Sequence, residues 1–213
     1  MSELHVIKLG GSLLDVPDLV ARFDVCRRAC AAVHAVLIVG GAEAADVVRR
    51  FDAMHHLNEC DAHWLAIRAM QFNAHLIAAV VRDCAIVREP DDLHAVWNEE
   101  RMAVIDPLYW LMREASQGVV IPHRWTFTSD SIAAHVAVQL RADKLTLLKS
   151  TLLRDTSAVD LVHQAASESV VDADFEMASQ TLKQIEVINL RHGSLSQGFV
   201  DASARQWLRC EPR

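Results

Sequence analysis

Two short β-rich runs, Leu4–Leu9 and Ala35–Val39, each stop at a pair of glycines, and each is followed by residues at helical spacing. The second run, Ala35-Val36-Leu37-Ile38-Val39, is apolar without a break. A strand of that kind has no wet face and belongs in a parallel sheet covered by helices on both sides. The turns Gly10-Gly11-Ser12 and Gly40-Gly41-Ala42 then fall at carboxyl ends of strands, the edge where open α/β sheets hold their ligands. Backbone amides of such a turn, together with the next helix N-terminus, favour an anion. Lys8 lies two residues before the first glycine pair and would aim its ammonium at the same mouth. Phosphate is the ligand these features suit. Neither turn spells Gly-x-Gly-x-x-Gly, and no Gly-x-x-x-x-Gly-Lys-Ser/Thr occurs, which argues against a dinucleotide fingerprint and a P-loop.

The remainder of the chain repeats the alternation. Helices are predicted after Pro17 (Leu19, Val20, Phe23, Cys26, Cys30, Val33 on one stripe) and from Ala42, carrying Val47, Val48 and Phe51 inward. A long helix is predicted from about Asn58 to Arg82, its apolar content being Leu65, Ile67, Met70, Leu76, Ile77 and Val80. Further helices are expected near Pro90–Trp97, from Pro107 through Leu111, over Ser129–Leu140 with Ser129 as cap, and over Ala158–Ala166. Strands are expected at Cys84–Val87, Met102–Ile105, Val119–Ile121, Leu145–Lys149 and Ile185–Ile188. Strand–helix alternation of this kind gives an α/β fold with a parallel sheet.

A length of 213 residues suits one compact α/β domain or two closely joined lobes, and 52% hydrophobic residues suffice for a core. The net charge of −7 argues against nucleic acid or an anionic membrane as partner, while leaving room for a local anion site. No window approaches the roughly 18 apolar residues of a membrane helix. Met1–His5 lacks the marks of a secretory signal, so a cytoplasmic location is expected. The five cysteines, Cys26, Cys30, Cys60, Cys84 and Cys210, are odd in number and widely spaced, as reduced thiols would be. His56, Cys60 and His63 would share a helix face, but no fourth ligand accompanies them, and a role without metal is preferred.

Three stretches in order, Val6-Ile7-Lys8-Leu9-Gly10-Gly11-Ser12, Leu37-Ile38-Val39-Gly40-Gly41-Ala42 and Thr128-Ser129-Asp130-Ser131-Ile132-Ala133-Ala134, resemble the motifs of the amino acid kinase family. The resemblance spans about residues 4–150. It implies a three-layer α/β/α sandwich with a mainly parallel central sheet, like that of carbamate kinase. A single domain would cover 1–213, with an acceptor side in 1–125 and a nucleotide side in 126–213. It further implies an ATP-dependent kinase that uses Mg²⁺ and phosphorylates a small phosphate- or carboxylate-bearing metabolite, assembled as a homo-oligomer. By the same resemblance Lys8 would balance charge on the transferring phosphoryl, and Asp130 would orient Lys8. Gly10, Gly11, Gly40 and Gly41 would present amides, and Ser12 a hydroxyl.

The later motifs of that family differ here. Where many members carry Thr-Asp-Val-Asp-Gly, this chain reads Leu147-Leu148-Lys149-Ser150-Thr151-Leu152-Leu153, and Gly-Gly-Met-x-x-Lys is missing. Lys149, Ser150 and Lys183 are the remaining candidates for the nucleotide phosphates. His63-Trp64-Leu65-Ala66-Ile67-Arg68-Ala69-Met70, followed by Asn73, is similar to a compact branch of the family. That branch includes a kinase acting on an aminomethyl-furan-methyl phosphate on the way to methanofuran. The likeness would place His63, Arg68 and Asn73 against an acceptor phosphate. His123-Arg124-Trp125 would line the mouth, with Trp125 as packing. A noncatalytic anion- or nucleotide-binding storage protein on the same scaffold is the alternative.

Overall fold

The computed structural model describes residues 3–29, 34–154, 156, 160–192, 195–196, 199–200 and 202–209. Its strands are β1 (Leu4–Leu9), β2 (His34–Val39), β3 (Cys84–Val87), β4 (Met102–Ile105), β5 (Lys144–Lys149), β6 (Ile185–Asn189), β7 (Leu195–Ser196), β8 (Phe199–Val200) and β9 (Arg205–Arg209). The helices are α1 (Leu19–Ala29), α2 (Ala42–His55), α3 (Glu59–Val80), α4 (Leu93–Asn98), α5 (Pro107–Ser116), α6 (Ser129–Gln139), α7 (Leu161–Ser167) and α8 (Phe175–Ala178). A seven-stranded sheet runs in the order β3-β4-β2-β1-β5-β6-β9, parallel except for β9 at the edge.

Alternation along β1 sorts its side chains between two cores. Ile7 and Leu9 join Phe23 and Cys26 of α1 with Ala74 and Ile77 of α3. Val6 joins a core on the other face, built from Leu108 and Leu111 of α5, Ile132 and Val136 of α6, and Phe175. A period of two places Lys8 on the Val6 face, toward α6. The three-layer α/β/α arrangement is therefore a consequence of strands buried on both sides. Lys8 and Ile38 are register partners at the middle of this sheet, so both glycine turns emerge from the same edge.

The structure departs from the sequence reading at several points. Val119–Ile121 is not a strand: Ile121 is buried but Val120 is 88% exposed, and both neighbours of β1 are already supplied by β2 and β5. α2 buries only Ala45, while Val47 and Phe51 face outward. Leu65, Leu76 and Val80 of α3 are exposed as well. His56 ends α2 in the left-handed region, so it does not share a helix with Cys60 and His63. β9 escaped notice because Arg205-Gln206-Trp207-Leu208-Arg209 has little apolar content. It is tied in by the fully buried Glu186 of β6, which meets Arg205 at 3.1 Å and Lys144 at 2.7 Å. Cys60 and Cys84 are free thiols. Cys30, Val33, Ala158 and Cys210 lie outside the described residues.

Candidate active site

Lys8 near the end of β1 and Lys149 at the end of β5 converge on one carboxylate. The Lys8 Nζ lies 2.7 Å from Asp130 Oδ1, and the Lys149 Nζ lies 2.6 Å from Oδ2. Lys8 is 3% exposed and Asp130 5%. Two charges this deeply buried, with the half-buried Lys149 against them, cost free energy unless they neutralise one another. Burial alone would raise the Asp130 pKa, but Lys149 and Lys8 outweigh it and hold the carboxyl at about 2. Burial pulls Lys149 down to about 8, with Asp130 opposing and Lys8 adding to the fall.

The sequence reading assigned the α6 cap to Ser129. The N-cap position belongs instead to Thr128, whose side chain makes no capping bond. Its place is taken by a carboxylate 44 residues away in sequence. Asp172 Oδ2 accepts from the Thr128 amide (3.1 Å), the Thr128 hydroxyl (2.7 Å) and the Ser131 amide (3.0 Å), and Oδ1 accepts from the Ser131 hydroxyl. Nothing in the chain near residue 172 announces that role.

The glycine turns divide into two kinds. The Gly10 and Gly40 amides are spent on the sheet, donating to Leu148 O at 2.8 Å and Leu9 O at 2.9 Å, and so are not on offer to a ligand. Among the described residues the Gly11 and Gly41 amides have no backbone acceptor. A Cβ on Gly11 would sit 2.5 Å from Ala42 N, and one on Gly40 would sit 2.7 Å from Gly11 N. Glycine is required at these two positions because the turns pack against each other, rather than to admit a ligand. Gly41 is right-handed (φ −74°, ψ −26°) and Ala42 follows at φ 49°. Successive right- and left-handed residues turn their amides toward one point and form an anion-binding nest.

Asn73 supports that nest from below. Buried on α3, it donates to Gly40 O at 2.8 Å and Gly41 O at 2.7 Å. Its amide is thus used on the turn and is not available to an acceptor phosphate. Across the mouth, the Ser12 and Ser150 hydroxyls lie 3.1 Å apart, joining the β1 and β5 turns. Arg191, which sequence reasoning missed, donates to Ser12 O and to Asp15 Oδ1 (2.5 Å).

A cavity of about 620 Å³ opens beside these turns. Ala45, Ile67, Met70 and Phe127 give it an apolar lining, and Arg49, Arg124 and Arg191 stand around it. His63 lines it too, stacked on His123 with ring centroids 4.8 Å apart. Burial, with His123 adding to the effect, lowers His63 to about 4, so it is neutral at pH 7 and brings no positive charge. Trp125 also lines the cavity, donating from its indole to Asp52 at 2.7 Å with Arg49 over its ring.

Two predicted residues are not brought to the site. Arg68 is exposed on α3, turned away from the face that carries His63, Ile67, Met70 and Asn73. Lys183 precedes β6 and lies near Glu3, Arg141 and Asp143. In a parallel sheet that is the amino-terminal edge, opposite the glycine turns.

The sequence pattern of the amino acid kinase family matches residues 3–151. The [5-(aminomethyl)furan-3-yl]methyl phosphate kinase of Methanocaldococcus jannaschii is 29% identical over 138 residues, 62% of this chain and 59% of that protein. This chain therefore aligns with somewhat more than half of that relative. Among solved structures, uridylate kinase from Archaeoglobus fulgidus superposes with a TM-score of 0.57 at 19% identity, covering 88% of this chain and 90% of its own. UMP kinase from Ureaplasma parvum gives a TM-score of 0.60 at 14% identity, covering 89% and 90%. At these identities the superpositions speak for the fold.

Proposed function

Because the chain belongs to the amino acid kinase family, we propose that it transfers the γ-phosphoryl group of ATP to a small metabolite bearing a phosphate or carboxylate. The observation that carries this reading is the pair of ammoniums, Lys8 buried and Lys149 half-buried, held on Asp130 at the carboxyl edge of the sheet. Phosphoryl transfer demands alignment and neutralisation of charge rather than a covalent intermediate. Lys8 and Lys149 supply fixed positive charge on one side, and the Gly41–Ala42 nest and the Gly11 amide supply dipoles on the other.

The residues suit a polyphosphate that arrives with its own cation. Asp130 is engaged by two lysines and Asp172 by four donors, so Mg²⁺ would be held mainly through phosphate oxygens, with Ser12 and Ser150 in reach of the same mouth. When bound there, the cation neutralises developing charge on the bridging oxygens. In this reading Lys149 and Ser150 would serve the nucleotide, and the 620 Å³ cavity would receive the acceptor.

The acceptor's own anionic group would meet Arg49, Arg124 or Arg191, each now paired with Asp46, Asp174 or Asp15. The name of the archaeal relative makes [5-(aminomethyl)furan-3-yl]methyl phosphate the first acceptor to try, and methanofuran-type cofactor biosynthesis the first context. Among the described residues no helix is long and apolar enough to cross a membrane, and we propose a cytoplasmic homo-oligomer.

The decisive experiment is ADP release from Mg-ATP across a panel of phosphate- and carboxylate-bearing acceptors. One acceptor is expected to give turnover that Lys8→Ala abolishes without changing the circular dichroism spectrum. Nucleotide binding with no ADP release on any acceptor would favour the storage alternative, and wild-type turnover by Lys8→Ala would overturn the site.

A further inference from the structure

We propose that Asp172 is a positioning residue for the transfer: its carboxylate fixes the first turn of α6 and thereby the place where Asp130 joins the two lysines. The inference rests on the kinase reading and deepens it, adding a residue that lies beyond the stretch matched to the family.

Four donors converge on this one side chain, two from Thr128 and two from Ser131, which flank Asp130 in the chain. A helix start held at both sides of a residue cannot rotate that residue away. Asp172 itself is anchored. Two residues on, Asp174 accepts two hydrogen bonds from Arg124, at 2.8 and 2.6 Å, and Phe175 is fully buried. The segment 172–175 therefore straps both ends of the stretch 124–131, the loop before α6 and its first turn, which carries Arg124, Phe127 and Thr128 of the cavity lining.

Asp172 is more than a cap, because it adds a fourth charge to the site. The charged groups facing Lys149 are Asp130 from α6, Lys8 from β1 and Asp172 from the strap. Two ammoniums thus oppose two carboxylates. Asp172 favours the charged form of Lys149, whereas burial and the nearby Asp130 raise its own pKa against the hydrogen bonds from Ser131 and Thr128. A purely structural cap would leave the titration of Lys149 alone, and this distinguishes the two roles.

The test is Asp172→Asn, which keeps an oxygen acceptor and removes the charge. The chain has only four lysines, Lys8, Lys144, Lys149 and Lys183, so the ε-carbon NMR signal of Lys149 can be assigned and titrated in ¹³C-lysine protein. The variant is expected to titrate Lys149 at lower pH than the wild-type value of about 8. Its kcat should fall on the order of 10- to 100-fold, the scale of a misplacement of about 1 Å, with the alkaline limb of kcat/KM moving the same way. Asp172→Glu should return the titration toward wild type. An Asn variant that folds and titrates Lys149 at the wild-type pH would overturn the assignment. Should that variant not fold, the wild-type Lys149 signal decides. Coupling to Asp172 requires a second inflection, displaced upward from the ordinary aspartate value and separate from Asp130 at about 2, and a curve without it is a refutation. The NMR readout needs no turnover, so failure of the kinase reading would show separately, as an absence of ADP release by the wild-type protein.

Discussion

At Asp130 a single carboxylate answers two ammoniums, and the arrangement favours function over stability. Lys149 is held charged against its burial, as its fall to about 8 records. Replacing it by Met leaves Asp130 still paired with Lys8, so Lys149→Met should abolish turnover without lowering the melting temperature. The pH dependence follows in sign. Lys149 is cationic below about 8, so kcat/KM, which reports the free enzyme, should decline above that value. For stability the same group acts in the opposite sense. Its folded pKa lies below its unfolded one, near 10.4. The unfolded chain therefore binds more protons between the two, and the group's contribution improves as pH rises through that window. Asp130, depressed to about 2, contributes above its ordinary value of 3.8 and loses that contribution as pH falls through 2.

The first turn of α2 shows strain placed where a ligand would use it. Ala42 sits at φ 49°, where a Cβ crowds the backbone. That conformation aligns the amides of the nest, and the neighbouring backbone of Gly11 leaves little room for it to relax. Ala42→Gly should remove the strain and raise stability by about 1 kcal/mol, read from the midpoint of chemical denaturation, with nucleotide affinity unchanged because the amides stay in place. α6 presents the contrasting case. It begins without a local cap and depends on Asp172 from a distant segment, so its start is a tertiary feature rather than a helical one.

For the whole molecule, large apolar side chains remain exposed on three adjacent helices. They include Phe51 and Met54 on α2, Leu65, Phe72 and Val80 on α3, and Tyr109 and Met112 on α5. Exposed apolar side chains on packed helices suit an interface, and a second copy of the chain is the occupant proposed. Light scattering should give a mass above one chain, and Val80→Glu with Met112→Glu should return a folded monomer. The sequence determined the six parallel strands of the sheet and the edge from which the glycine turns emerge, but not the antiparallel β9. Unbroken apolar strands can be buried only between two helical layers, and glycine pairs at their ends leave a legible mark. Lys8 and Asp130 were legible for the same reason, since each sits in a local motif. Tertiary structure alone decided what the remaining polar residues do. Asn73 turned out to hold a turn, Arg68 and Lys183 to face elsewhere, Asp172 to hold the start of α6 and Arg191 to reach the Ser12 turn. Side-chain partners supplied from across the sheet follow from packing, and packing has no local periodicity for a sequence to display.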